Sequence, residues 1–373
     1  MELSKKELAR YGRHLILPEI GTAGQLKLKK ARVLLVGAGG LGSPLAIYLS
    51  AAGVGTIGLA DFDTVDFSNL HRQTIHYTDD VGKPKVISAR EKMERINPEI
   101  RVVTHPVAIA AENALSIIEN YAMVIDGTDN FPARYLINDA CFLAGRPNVF
   151  GAVSRFEGQC SVFGLPGGPC YRCLFQDPPA PGEVPSCAEA GVLGVLPGII
   201  GLLQANEAIK LICGIGEPLK GRLLLFDALR TEFREVRIKK DPQCPLCGEN
   251  PAIKHLSDYQ YSCADQKAAG AEESFPSINV ERLAQLIKQG PSGFLLLDVR
   301  EETEWDLSRI DGAVLKPLSL LEETYHDIPR DRQVYIHCQK GGRSLKAIRF
   351  LKTKGYENCV LVEGGLDAWE KLS

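Results

Sequence analysis

Long hydrophobic runs are missing from this sequence. The two most apolar stretches are Leu45 to Ala60, interrupted by Gly53, Gly55 and Gly58, and Val192 to Leu203, which is short and contains Pro197. Neither is expected to cross a bilayer, which takes about 20 consecutive apolar residues, so no membrane partner is expected. The opening residues, Met1 to Lys6, contain no apolar core. No secretory leader is therefore expected, and the chain reads as cytoplasmic. An excess of one charge is also lacking. Lys and Arg number 43 against 46 Asp and Glu, a net charge of -3, which argues against a nucleic-acid partner. There is no internal repeat and no low-complexity tract. Cysteine, by contrast, is plentiful at 11 residues. Without export, such thiols serve as ligands, nucleophiles or packed groups rather than disulfides.

At 373 residues the chain is natural for two domains. Val33 to Val36 is a short aliphatic run that predicts a buried strand. It is followed by Gly37-x-Gly39-x-x-Gly42, then Ser43-Pro44 and an apolar helix from Leu45 to Ala52. Glycines at this spacing let a polyphosphate approach backbone N–H groups at a helix N-terminus. A second strand, Ile57 to Ala60, ends at Asp61, placed to accept from ribose hydroxyls. Strands at 101–103, 123–126 and 147–153, and a helix at 86–96, continue the alternation. The fold class is α/β with a Rossmann-like, mostly parallel sheet.

The glycine turn alone points first to a dinucleotide oxidoreductase. The residues after it point elsewhere. Ser68-Asn69-Leu70-His71-Arg72-Gln73 follows the second strand, Lys85 opens the next helix, and Asp126 and Asp129-Asn130 stand exposed at the tip of a later strand. Arg72 and Lys85 suit phosphates, and Asp129 suits Mg²⁺. A nucleotide α-phosphate between Mg²⁺ and cations is set for attack by a carboxylate, which is adenylation. Arg13 lies in a basic helical stretch and reads, by itself, as solvated.

Cys170-x-x-Cys173 and Cys244-x-x-Cys247 form two hooks, each among Pro and Gly. Four thiolates suit tetrahedral Zn²⁺ in a structural site; a redox Cys-x-x-Cys is the alternative. Cys187, in Pro185-Ser186-Cys187-Ala188, is placed on a mobile crossover above the active site, either as a nucleophile or as a bystander. Cys141, Cys160, Cys213, Cys263 and Cys359 have no partner at useful spacing and read as packed thiols.

From 250 to 275 the chain is polar and aperiodic, a linker candidate between an adenylation domain at 1–249 and a small α/β domain at 276–373. In the latter, a helix at 280–289 and strands at 294–299 and 334–337 lead to His337-Cys338-Gln339-Lys340-Gly341-Gly342-Arg343-Ser344. Cys338 sits where backbone N–H groups, a helix N-terminus, Lys340 and Arg343 stabilise an anionic sulfur. A phosphatase, which sets an arginine after its cysteine in the same kind of loop, is the alternative here.

The run Gly37–Ser43, Asp61-x-Asp63, Ser68–Gln73, Asp126-Gly-Thr-Asp129-Asn130 and the paired Cys-x-x-Cys hooks closely resemble the ubiquitin-activating-type adenylyltransferases, in particular those of molybdopterin-synthase and thiamine sulfur carriers. The resemblance covers roughly residues 3 to 250. It implies MgATP-dependent adenylation of the C-terminal glycine of a ubiquitin-like sulfur-carrier protein. By matching position it assigns Gly40, Asp61, Asp63, Asn69, Arg72, Lys85 and Asp129 to ATP and Mg²⁺, together with Ser68, Leu70, His71 and Asn130 of the same motifs. It also implies the zinc site and a homodimer in which Arg13 reaches the partner's site. Asp298-Val299-Arg300, Glu304-Trp305, Gly312-Ala313 and Glu363-Gly364-Gly365-Leu366 resemble the rhodanese family over about 276 to 373. They imply a sulfurtransferase with Cys338 as persulfide carrier, loaded by a cysteine desulfurase or thiosulfate. Cys338, Cys187 and Arg72 are then the catalytic residues. The competing readings are a nicotinamide-dependent oxidoreductase with a sulfur-sensing module, and a non-catalytic scaffold that docks a carrier. Carriers of this kind feed molybdopterin, thiamine, thiolated tRNA and cysteine synthesis, and the sequence does not choose among these.

Overall fold

Alternate residues of one short strand feed two cores. β1 (Arg32–Val36) sends Val33 and Leu35 to one face and Leu34 and Val36 to the other, all buried. The structure is a computed structural model that describes residues 2–178, 191–257, 275–290 and 293–372. The chain divides into two compact units, Met1–Asp265 and Gln266–Ser373.

In the first unit β1 is joined by β2 (Thr56–Ala60), β3 (Arg101–His105), β4 (Met123–Asp126), β5 (Asn148–Ser154), β6 (Glu157–Phe163), β7 (Arg222–Asp227) and β8 (Glu232–Arg237). These make an eight-stranded sheet in the order β3-β2-β1-β4-β5-β6-β7-β8. Pairing is parallel from β3 to β5 and antiparallel from β5 to β8. Parallel pairs need crossovers. The helices Gly42–Ala52, Lys85–Ile96 and Phe131–Leu143 supply them. The direction of the strand order reverses between β1 and β4, so a crevice opens at their carboxyl ends.

Pro197 does not break the long apolar helix that contains it. It lies in the first turn of an 18-residue helix, Leu196–Cys213, where the missing N–H is not needed. That helix has the length and composition of a membrane span, but half of it is buried. It packs on β5, β6 and the helix Gly42–Ala52. Several elements have no counterpart in the sequence reading, among them the helix Phe131–Leu143 and β6. The helix Phe131–Leu143 carries legible start signals, with Asn130 capping the Ala133 N–H at 2.9 Å and a proline in the first turn. β6 has small and polar residues and so a weak pattern. Its Gly158 lies against Ile200, where a Cβ would come within 2.4 Å of that side chain.

The helix Lys85–Ile96 is anchored by a buried ion pair between Lys92 and Asp80. Burial pushes the Asp80 carboxyl up, but the Lys92 ammonium and the Tyr77 amide outweigh it and hold it at about 2, against an ordinary 3.8. A carboxyl depressed on folding contributes stability above its unfolded value and loses it as pH falls through the folded one. Unfolding free energy should therefore fall between pH 4 and pH 2. In Asp80→Asn that part of the slope should be missing, as denaturant titration at stepped pH would show.

The second unit is a parallel sheet in the order β11-β10-β12-β13-β9, built from β9 (Ser277–Ile278), β10 (Phe294–Asp298), β11 (Val314–Leu315), β12 (Gln333–His337) and β13 (Cys359–Val362). The helices Val280–Gln289 and Gly342–Thr353 flank it, the first capped by the Asn279 side chain.

Candidate active sites

The crevice at β1 and β4 is an open cleft of about 930 Å³, counted out to solvent. Its floor is two glycine turns in contact. Gly37 has φ +95°, and a Cβ there would lie 2.7 Å from the Gly127 carbonyl, so no other residue fits. At Gly40 a Cβ would meet Pro197 at 2.9 Å. The helix Leu196–Cys213 thus closes over the turn, and Gly40 leaves backbone rather than side chain facing the cleft.

Asp61, Asp63, Arg72, Lys85, Asp129 and Asn130 all line this cleft. Asp61 accepts from the Ala38 N–H at 2.7 Å and the Asp63 N–H at 2.8 Å, which ties the end of β2 to the glycine turn. Lys85 is buried and pairs with Asp63 at 2.9 Å. Arg72 donates to Asn69 Oδ1 at 3.0 Å, and so does Gln73. Asn69 therefore stands behind the cleft wall as an orienter. Asp129 is exposed and, among the described residues, its carboxylate has no partner. Asn130 spends its side-chain oxygen on the helix cap.

Several expectations change in the folded chain. Asp126 is not exposed at a tip; it is fully buried, accepting from the Thr128 N–H at 3.0 Å and hydroxyl at 2.7 Å. Burial pushes its carboxyl up. Ser68, Leu70 and His71 do not line the cleft. Ser68 donates to Asp66, and the His71 carbonyl lies against Gly194. Arg13 is exposed on the helix Gly12–Leu15, away from the cleft. Cys187 and Cys263 lie outside the described residues. The structure adds Gln73, Thr128, Pro197 and an apolar wall of Val107, Ala108 and Ile109. That wall follows β3, and its place at the same sheet edge was the available signal.

The four hook cysteines converge. Their sulfurs lie within 4.8 Å of one another, with Cys170 to Cys244 at 3.5 Å and Cys173 to Cys247 at 3.2 Å. A tetrahedral zinc with thiolates at about 2.3 Å spaces sulfurs by about 3.8 Å, so the set fits one. It is a closed set of soft ligands, too widely spaced for disulfides. Hydrogen bonds from Cys170 and Cys247 hold the Cys173 thiol well below its usual range. Between the first two hook cysteines, Arg172 is buried and bidentate to Asp139, both contacts at 2.8 Å. Removing that carboxylate takes its bidentate partner from a buried cation. Asp139→Ala should cost about 3–5 kcal/mol in urea unfolding. A loss under about 1 kcal/mol would mean the pair is not needed to dock the hook.

In the second unit Cys338 directly follows β12 and is buried, its sulfur accepting the Gly341 N–H at 3.1 Å at the start of the helix Gly342–Thr353. Asp298 and Arg300 form a buried pair behind the loop, and Arg300 reaches Gln339 at 3.3 Å. Arg343 does not lend a free charge: it is bidentate to Glu304 at 2.5 and 2.6 Å and holds that carboxyl below its usual range. Only four residues separate Cys338 from Arg343, one short of the Cys-x5-Arg of a phosphatase loop. Cys141, Cys160, Cys213 and Cys359 are buried, as expected of packed thiols.

A nucleotide cleft in one unit and a cradled cysteine in the other define a two-domain group-transfer enzyme. Residues 11–246 match the ThiF family, and residues 279–372 match the Rhodanese-like domain. The chain is 48% identical to "Probable adenylyltransferase/sulfurtransferase MoeZ" of Mycobacterium tuberculosis, over 99% of this chain and 94% of that protein. It is 42% identical to "Adenylyltransferase and sulfurtransferase MOCS3" of Sus scrofa, over 98% and 86%. It is 52% identical to "Sulfur carrier protein adenylyltransferase" of Thermus thermophilus, over 70% and 99%. The crystal structure of E. coli MccB with ATP shares the fold, at TM-score 0.58 and 23% identity over 66% of this chain and 75% of that one. This chain belongs to the ThiF family, in the form that carries a rhodanese-like domain. It is an adenylyltransferase and sulfurtransferase, which sets aside the nicotinamide-enzyme and scaffold readings.

Proposed function

We propose that the enzyme adenylates the C-terminal glycine of a ubiquitin-like sulfur-carrier protein and then converts it to a thiocarboxylate. The convergence of Lys85, Arg72 and Asp129 on the glycine turn, which forms a phosphate site rather than a hydride site, carries this reading. ATP lies with its phosphates along Gly37–Gly42. Asn69 aims Arg72, and Asp63 aims Lys85, at the charge that develops on the α-phosphate. The carrier carboxylate attacks that phosphorus and pyrophosphate leaves. Asp129 would hold Mg²⁺, which supplies further neutralisation of phosphate charge. The terminal sulfur of a Cys338 persulfide then attacks the acyl carbonyl and releases AMP, directly or after passing to Cys187. A thiol reduces the resulting acyl disulfide, itself becoming a disulfide, and frees the thiocarboxylate. Cys338 takes its sulfur from a cysteine desulfurase or thiosulfate.

The four hook cysteines hold structural zinc, 250–275 is the linker, and the enzyme works in the cytoplasm. It acts as a homodimer in which the exposed Arg13 enters the partner's cleft. Purified protein should contain zinc at about one ion per chain, and Cys244→Ser should lose it and melt at a lower temperature. Retention of wild-type zinc by that variant would remove the site. The main reading is tested by ATP–pyrophosphate exchange with the carrier captured from the native cell. Exchange should require the carrier. Exchange without it, or none with it, rejects the carrier as substrate.

A further inference from the structure

His76 belongs to none of the residues assigned above, yet it holds the glycine turn from behind. Its Nε2 lies 2.9 Å from the Ala38 carbonyl, and its Nδ1 lies 2.8 Å from Ser88 Oγ. A carbonyl only accepts, so Nε2 carries the proton. Nδ1 of the neutral ring is then bare, and the Ser88 hydroxyl is placed to donate to it. The same Ser88 oxygen accepts from Lys92 Nζ at 3.0 Å, and Lys92 is paired with Asp80. All four side chains are buried, His76 to 4% exposure. The donors therefore run one way, from Lys92 through Ser88 and His76 to the turn.

Ala38 is the residue between Gly37 and Gly39, and both its backbone polar groups end on side chains. Its N–H donates to Asp61 and its carbonyl accepts from His76. In a trans peptide the carbonyl of one residue and the N–H of the next point in opposite directions. Holding the Ala38 carbonyl on His76 thus fixes the direction of the Gly39 N–H, and Gly39 lines the cleft. Without that bond the Ala38–Gly39 peptide, with a glycine on one side, would turn more freely. We infer that His76 is a positioning residue of the adenylation site, holding the Gly37–Gly42 turn in the conformation that receives the nucleotide phosphates. This rests on the adenylation reading above.

The test uses the full chain in carrier-dependent ATP–pyrophosphate exchange. His76→Leu removes the donor at similar size, and His76→Gln offers an amide N–H in its place. In His76→Leu, kcat/KM for ATP should fall about tenfold, mainly through KM for ATP, with KM for the carrier within about twofold of wild type. His76→Gln should recover most of the loss. A folded His76→Leu enzyme with wild-type kcat/KM for ATP overturns the inference, as does a His76→Gln enzyme equally impaired. If His76→Leu does not fold, Ser88→Ala serves: it frees Nδ1 to take the proton, and should lower kcat/KM for ATP about threefold. Wild-type kinetics in that variant count against the chain of donors. If wild type shows no exchange, the adenylation reading fails by itself. ATP affinity by calorimetry then decides here, weaker in His76→Leu supporting the role of His76 and equal affinity overturning it.

Discussion

Cys338→Ala should abolish sulfur transfer to the carrier and to cyanide from thiosulfate, while carrier-dependent ATP–pyrophosphate exchange continues at the wild-type rate. The sulfur is buried at a helix start and accepts the Gly341 N–H, a donor that a persulfide carried there would keep. The other thiol described in the second unit, Cys359, lies at the start of β13 rather than before a helix, and burial pushes it up to about 11. Alanine removes one sulfur from a loop held in place by the Asp298–Arg300 pair and by Leu366 and Asp367, whose amides donate to the Cys338 and Gln339 carbonyls. The loop should therefore keep its shape, and exchange at the other unit should be untouched. Exchange lost along with transfer would refute the division of labour between the two units. Residual thiocarboxylate, detected by intact mass, would mean that a second cysteine takes sulfur from the donor.

Asp129→Ala should have the opposite signature. Exchange should fall by a factor on the order of a hundred, about 3 kcal/mol of transition-state stabilisation, while thiosulfate sulfurtransferase activity survives. The argument is one of availability. Asp61 is bound by two backbone N–H groups and Asp63 by Lys85, whereas Asp129 faces the cleft without a partner among the described residues. A metal recruited to the phosphates has that carboxylate to bind. Asp129→Asn should lose nearly as much, because the amide keeps the shape and loses the charge. Equal exchange in wild type and Asp129→Asn would leave Asp129 without a metal role.

Much of this was written locally. The glycine spacing, the strand before it and the acid after the next strand announced the nucleotide turn, because each needs only near neighbours in the chain. The two Cys-x-x-Cys hooks and the Cys338 loop were equally plain. Helix and strand periods located many elements, and failed at β6, β9, β11 and β13, where short or small-residue strands give too few residues for a period.

Other properties depend on contacts between residues far apart in sequence. That Asp126 is buried while Asp129 faces the cleft follows from which side of β4 the glycine turn packs on. That Arg343 is neutralised depends on Glu304, 39 residues away. His76 became visible only because the helix Lys85–Ile96 brings Ser88 and Lys92 behind the turn. Residue types and spacing set the chemistry this chain can perform, since a phosphate turn or a cysteine cradle is a local backbone shape. Which charges remain available for that chemistry was decided by tertiary packing, because a charge or a proton is committed by whatever the fold places against it.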